Sequence, residues 1–345
     1  MIHKPHSSVR HTRVERFFCF LTLLAALTAC RQAPEPTRLY GEAQGTYYSI
    51  LYCDTAHRNL QPQVDSLLDA FDQSASLWVD SSLLRRVNAG LTDSLDDILH
   101  FLLTRSLAVE QQTGGAFNCR VGRLVQAWGF SFRERQEPDS AQLRLLLQGA
   151  HADFTLDGHR LTHKDPSTEF DFNAIAQGYS VDLLAALFDR LGIHAYLIDV
   201  GGEVIARGSK PDGSPWRVGI ERPSDDSLSA PEVQTVVGLR DCSVVTSGSY
   251  RKYYERDGLR YSHTIDPATG RPVLHTLLSA TVADSLCWRA DAMATAYMVM
   301  GLDSAQRFIA AHPDLPGTAA VMLIYDDHGT LRTYTTPAFE KLIIQ

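Results

Sequence analysis

Gly201-Gly202 separates two β-patterned runs, at residues 195–200 and 203–207, and that spacing dictates how the runs can pair. Strands joined by a two-residue turn lie antiparallel, because a parallel pair needs a crossover of a dozen residues or more. Asp257-Gly258 repeats the device between 252–255 and 259–265. Both of its central positions tolerate positive φ, as a tight hairpin demands. His328-Gly329 turns a third hairpin within 320–335, and further β pattern runs through 46–52, after Gly45, and 216–220. Helical spacing falls in separate blocks. It covers 62–78, 94–112 (Leu95, Ile98, Leu99 and Leu102 on one face), 174–191 (Leu183, Leu184, Leu187 and Leu191 inward, ending at Gly192) and about 290–300. Hairpins beside blocks of helix predict an α+β fold of mainly antiparallel sheets with packed helices, not a doubly wound parallel sheet.

The N-terminus is set apart from that fold. Lys4, Arg10, Arg13 and Arg16, against Glu15 alone, precede an almost wholly apolar run of 13 residues at 17–29. Such a run is too short to span a bilayer and suits a signal-peptide core. It ends in Leu27-Thr28-Ala29-Cys30, which resembles the bacterial lipobox, where the cysteine is diacylated and becomes the new N-terminus. The rival is an ordinary secretory signal with an incidental cysteine. The expectation is a lipoprotein signal peptide at 1–29, lipidation at Cys30, a Pro-containing tether at 30–38 and a folded body at 39–345.

Hydrophobic residues at 44% and charged residues at 21% are those of a globular chain, not a disordered or fibrous one. Removing the leader takes away four basic groups and one acidic group, moving the formal charge from −8 to −11. A body this acidic argues against nucleic acid and against anionic headgroups, so membrane attachment falls to the lipid. Cys19 lies in the leader. Of the others, Cys53, Cys119, Cys242 and Cys287 show no CxxC spacing, which leaves a zinc or redox pair without support. Disulfides and free buried thiols both stay open for these four.

Four segments concentrate polar residues beside glycine or a helix start. Residues 171–179 (DFNAIAQGY) place polar groups just ahead of a helix, where free backbone N–H groups and the positive dipole end suit a diphosphate. The plainer reading is that Asp171 or Asn173 caps the helix. Asp291 and Thr295 are i,i+4 neighbours, so a carboxylate and a hydroxyl share one helical face. That pair is too sparse for calcium and fits magnesium, which keeps waters and takes substrate phosphates; a solvated helix face is the rival. The remaining two are 246–251 (TSGSYR) and 261–267 (YSHTIDP), in which His263 stands near a strand end, where an imidazole could act as a base. With thirteen histidines in the chain, composition alone does not single it out.

Taken in order, six stretches resemble the ApbE family of FAD:protein FMN transferases. They are Gln44-Gly45-Thr46, 114–130 (GGAFNCRVGRLVQAWGF), 171–182, 198–208 (IDVGGEVIARG), 246–272 and 291–301 (DAMATAYMVMG). The resemblance implies an ApbE/T-fold-like body and Mg²⁺ held by Asp291, Thr295 and the Ala174 carbonyl. FAD would be the substrate, contacted by Gln44, Trp78, Ala116, Phe117, Asn118, Asp171, Gln177 and Thr264. It implies His263 as the base that activates an acceptor threonine hydroxyl, with AMP as the leaving group. Gly201-Gly202 reads as a tight structural turn, with Glu203 a polar neighbour. Implied acceptors are flavin-carrying subunits of membrane redox complexes or exported flavoproteins, and the implied location is the bacterial cell envelope, lipid-anchored and facing the periplasm.

Two departures from the family pattern stand out. Phe117-Asn118-Cys119-Arg120 replaces the commoner Phe-Asp, Pro or Ile, then Thr, which alters charge and reactivity there; Gln177 stands where Lys or Glu is common. The same site with water as acceptor would be a Mg-dependent FAD pyrophosphatase. A non-catalytic flavin-binding lipoprotein is the alternative of another class, and His263 with the Asp291/Thr295 pair favours an enzyme.

Overall fold

A hairpin of β1 (Thr37–Ala43) and β2 (Thr46–Tyr52) opens the fold, with Thr37 opposite Tyr52 and Ala43 opposite Thr46. Gln44 and Gly45 turn it, both at positive φ (54° and 71°). The computed structural model describes Met1 and residues 35–130, 138–163, 165–224, 232–249, 253–256 and 259–344. The leader, Cys30 and the Asp257-Gly258 turn lie outside the described residues, and residues 36–345 form one unit.

Helices α1 (Gln61–Ala75), α2 (Leu83–Asn88), α3 (Asp97–Gln112), α4 (Gly122–Ala127) and α5 (Ser140–Ala150) follow, then the small hairpin β3 (Phe154–Asp157) and β4 (Arg160–His163) and helix α6 (Ala176–Arg190). β5 (Tyr196–Val200) and β6 (Glu203–Arg207) flank the Gly201-Gly202 turn. Next come β7 (Trp216–Glu221), β8 (Val233–Leu239), β9 (Cys242–Gly248), β10 (Tyr253–Arg256), β11 (Leu259–Ser262), β12 (Ile265–Asp266), β13 (Arg271–Pro272) and β14 (Leu277–Asp284). Helix α7 (Cys287–Ala311), β15 (Ala320–Asp327), β16 (Thr330–Thr335) and the short α8 (Pro337–Glu340) end the chain.

Eight strands make one sheet, in the order β1-β2-β5-β6-β9-β14-β15-β16, and every neighbouring pair is antiparallel. Alternation along the strands divides their side chains between two cores. Ile205, Val282, Val321 and Leu323 join the larger core, with Leu68 of α1, Leu102 of α3, Leu184 and Phe188 of α6 and Ala294 of α7. Val204, Ala206, Ala283, Met322 and Ile324 face the other side, covered by Trp216, Val237 and Leu239 of the β7–β8 hairpin and by Phe339 of α8. A third, separate core gathers Leu124, Trp128, Leu143, Ala150 and Ile265.

Helix ends are held by side chains. Asp96 accepts the Leu99 N–H at 2.8 Å to start α3, and Asp139 with Gln142 forms a capping box on α5. Asp182, carried by α6, accepts the N–H groups of Cys287 (3.0 Å) and Trp288 (2.9 Å) and so caps α7 from outside. The expected helix at 290–300 is longer than its periodicity indicated. Gly301 adopts φ 71°, which usually ends a helix, but here it only breaks α7. His275 Nε2–H donates to the Met298 carbonyl at 2.6 Å, and the chain resumes with Ala305 and Ile309 buried. On α6 the fully buried stripe is Val181, Leu184, Ala185 and Phe188; Leu183, Leu187 and Leu191 pack only partly buried at its margin.

Candidate active site

The site grows from the crossing of α6 and α7. Gly178 permits it: a Cβ there would lie 2.6 Å from the Cys287 carbonyl oxygen. Gly178 lies in the first turn of α6, whose N–H groups have no partner within the helix, and Ala174 stands before the helix begins. The Gly178 N–H donates to Asp291 Oδ2 at 3.1 Å, and no described backbone donor takes the Ala174 carbonyl. Helix α6 begins without a side-chain cap, its cap position being Ile175, but the N–H groups of Ile175 and Ala176 bond to the Phe172 carbonyl at 3.0 and 2.8 Å, which leaves the Gln177 N–H as the first-turn donor without a described acceptor. Asp171 does not cap this helix. Its Oδ1 accepts the Asn173 N–H at 2.8 Å and closes a local turn, and burial pushes its carboxyl up to about 6.

Asp291 is 4% exposed, and Thr295 one turn along α7 lies 3.2 Å from the Ser247 hydroxyl on β9. Glu203, the first residue of β6, brings a second carboxylate, with Oε2 buried and without a hydrogen-bond partner. Burial first, and the Asp291 charge second, hold the Glu203 carboxyl well above the usual range; burial raises Asp291 also. Two buried carboxylates that disfavour each other's charge, one with an orphaned oxygen, are the environment a cation relieves. Among the described residues no group of three or more His, Cys, Asp or Glu could hold a metal. Asp291 and Thr295 lie one turn apart on α7, and the Gly178 N–H ties the Asp291 carboxylate to the start of α6.

The turn at 44–45 meets the start of α6. Gln44 Oε1 accepts the Ser180 hydroxyl at 3.4 Å, while its amide nitrogen is buried without a partner. Gln177 Nε2–H donates to the Val200 carbonyl at 3.0 Å and packs on Gly201, whose positive φ of 60° brings the β5–β6 turn against it. The departure at Gln177 therefore exchanges a charge for a bond to the sheet.

A second group reaches the third core through Ala150, while its Phe117 and Cys119 pack in the larger one. Phe117 is buried, with its N–H on Thr113 Oγ1 at 3.1 Å. Asn118 is engaged at both ends, Nδ2–H donating to the Ala150 carbonyl at 3.1 Å and Oδ1 accepting the Arg120 N–H at 2.7 Å. Its side chain shapes the loop. The expected change in charge and reactivity at Cys119-Arg120 is cancelled by packing. Arg120 pairs with Glu110, donates to the Ala152 carbonyl at 3.1 Å and lies over the Phe154 ring. Cys119 is buried, and that pushes its thiol up to about 12, out of reach of thiolate chemistry. Cys53, Cys119, Cys242 and Cys287 are all free.

Asp171 joins the two groups, because its N–H donates to the Cys119 carbonyl at 2.7 Å. His263 and Thr264 directly precede the β12–β13 hairpin, with the Phe130 ring edge-on to His263 at 6.4 Å. Ala116 sits on the loop leaving α3, its N–H on the Thr113 carbonyl at 3.3 Å. Trp78, on the loop after α1, is 58% exposed, a large ring left to solvent. Sequence reasoning left Glu203 without a role and gave Ser247 none beyond its place in a polar segment; only the pairing of β6, β9 and α7 shows what they face.

These elements define an antiparallel α+β protein with two buried carboxylates, Asp291 and Glu203, at its polar centre where helices α6 and α7 cross. The ApbE family pattern matches residues 44–321, and the chain belongs to that family. It is 33% identical over 334 residues to the FAD:protein FMN transferase of Vibrio cholerae, covering 94% of this chain and 97% of that one. It is also 33% identical to the protein of that name from Escherichia coli K12, over 96% and 99% of the two chains. Among solved structures, the flavin transferase ApbE from Vibrio cholerae superposes with a TM-score of 0.76 at 32% identity, covering 89% of this chain and 99% of that one. The apo flavinyl transferase ApbE of Pseudomonas stutzeri gives 0.78, also at 32% identity, over 89% and 96%.

Proposed function

We propose that this chain is a magnesium-dependent FAD:protein FMN transferase, moving FMN from FAD to a threonine hydroxyl of an acceptor flavoprotein and releasing AMP. The observation that carries the reading is the α6–α7 crossing. There the Gly178 N–H holds the buried Asp291 carboxylate, no described backbone donor takes the Ala174 carbonyl, and Glu203 Oε2 is buried without a partner. Asp291, Thr295 and the Ala174 carbonyl hold the ion, which when bound neutralises charge on the diphosphate and on the departing AMP.

In the first turn of α6 the Gln177 N–H, which no described acceptor takes, donates to the diphosphate. Gln44, Trp78, Ala116, Phe117, Asp171, Gln177 and Thr264 contact FAD, and Asn118 serves the same site by holding its loop in shape. His263 removes the proton from the threonine Oγ as that oxygen attacks the FMN-side phosphorus. The bond from that phosphorus to the bridging oxygen breaks, AMP leaves with the oxygen, and FMN is left in a phosphodiester to the threonine. Such transfer depends on positioning and electrostatics, which suits a site of helix N-terminus, cation and one base.

The acceptors are flavin-carrying subunits of membrane redox complexes or exported flavoproteins. The body, 39–345, is held at the envelope by Cys30 after loss of 1–29, facing the periplasm. Among the described residues no helix is long and apolar enough to cross a membrane. Fatty-acid labelling tests the anchor: Cys30→Ala should abolish incorporation, and equal incorporation would exclude Cys30. For the activity, purified protein is incubated with FAD, Mg²⁺ and an acceptor, and acceptor mass and AMP are followed. A mass gain of one FMN per AMP supports transfer, whereas AMP with free FMN and unchanged acceptor makes the enzyme a hydrolase.

A further inference from the structure

The third core serves the hairpin that follows His263. The β12–β13 turn is rigid in itself: Asp266 accepts the Ala268 N–H and the Thr269 hydroxyl, both at 2.9 Å, and the Gly270 N–H returns to the Asp266 carbonyl at 2.8 Å. Three contacts tie that turn to the α4–α5 block. Ile265 is buried in the block's core, His151 Nε2 bonds to the Pro267 carbonyl at 3.0 Å, and the buried Trp128 indole N–H donates to the Gly270 carbonyl at 2.8 Å. The seat is close, since a Cβ on Gly270 would lie 2.8 Å from Leu143 and 3.0 Å from Leu124.

The same block fixes the loop at 116–120, through Asn118 on the Ala150 carbonyl and Arg120 on the Ala152 carbonyl. Phe130, two residues after Trp128, meets the His263 ring directly. One small core thus fixes both the flavin-side loop and the segment that carries the histidine.

The geometry points to Trp128 as a positioning residue for His263: its indole N–H, through the Gly270 carbonyl, sets where the imidazole stands relative to the loop at 116–120. Phenylalanine or leucine would fill the same apolar space, and neither reaches across to the carbonyl of a turn 142 positions away. The inference rests on the reading of His263 as the base. Small displacements of a reacting group are expensive, about a hundredfold for 1 Å.

Trp128→Phe keeps a ring in the core and deletes the donor. Assayed as the full enzyme with FAD, Mg²⁺ and an acceptor, it should lower kcat roughly ten- to a hundredfold. The KM for FAD and the affinity for FAD should stay within about twofold. In a His263→Ala background, Trp128→Phe should add less than about twofold, because both changes remove one contribution. Parental kcat for Trp128→Phe, or the full factor in both backgrounds, overturns the positioning role and leaves the base reading standing. Near-normal transfer by His263→Ala overturns the base reading and this inference with it. Should Trp128→Phe fold poorly, His151→Ala loosens the same turn at Pro267 and gives the same cycle.

Discussion

Gly178→Ala tests whether the crossing of α6 and α7 builds the cation face. The new Cβ would lie 2.6 Å from the Cys287 carbonyl oxygen, 2.8 Å from its carbon and 2.8 Å from Trp288 Cα. All three are backbone atoms, so no side chain can rotate away and the helices must part by several tenths of an ångström. Overpacking of this kind costs about 1–3 kcal/mol, and the better helix propensity of alanine returns about 1 kcal/mol. The net, about 0–2 kcal/mol, lowers the melting temperature of a unit this large by at most about 3 °C. The effect on the site is larger in proportion. Asp291 and Thr295 ride together on α7, but the Ala174 carbonyl belongs to the α6 side, so parting the helices would split the proposed ligand set. The Gly178 N–H bond to the Asp291 carboxylate is of a type worth about 1.5–3 kcal/mol. Mg²⁺ affinity in the presence of FAD, read by calorimetry, should therefore fall tenfold or more. Unchanged Mg²⁺ affinity in a protein that melts a few degrees lower would refute the reasoning, leaving the crossing as packing alone.

His263→Ala should still bind FAD with Mg²⁺ yet transfer FMN about 10²–10⁴-fold more slowly; affinity and rate measured on one preparation separate this from a folding defect. Asp291→Ala should abolish turnover and Thr295→Ala should weaken Mg²⁺ binding less, a hydroxyl being the poorer ligand; full turnover by Asp291→Ala in excess chelator would remove the metal assignment. Asp171 has its carboxyl pushed up to about 6 in the fold, so its favourable contribution is present below about pH 4 and is lost as pH rises through about 6. Relative to Asp171→Asn, the parent should lose about 3 kcal/mol over that window and nothing further above it, read by urea unfolding at each pH; a flat difference would contradict the buried carboxyl.

Much of the sheet was legible because tight turns leave local marks. Gly201-Gly202 and His328-Gly329 join strands at 203–207 and 320–335 that the sequence indicated closely. β9 and β14 left no such mark, since both lie inside the sheet and are buried on both faces, so their apolar runs do not alternate. The stripe on α6 was misplaced in phase for a related reason: Phe188 meets Tyr52 across the core, a choice made by a partner far back along the chain. At the site, the i,i+4 spacing of Asp291 and Thr295 could be read directly. The Gly178 N–H could not, because a backbone donor carries no signature of its own. Nor could the neutralisation of Arg120 by Glu110, ten residues away across a helix end.

The break at Gly301 has a mechanical meaning. In an unbroken helix, each added or lost residue turns everything beyond it by about 100°. The break in α7, held open by His275, stops that rotation from passing between the two halves. Residues 302–311 can therefore be lengthened, shortened or re-aimed against the core without changing the angle at which Asp291 and Thr295 face α6. The outer half of the helix is free to diverge while the inner half keeps its heading.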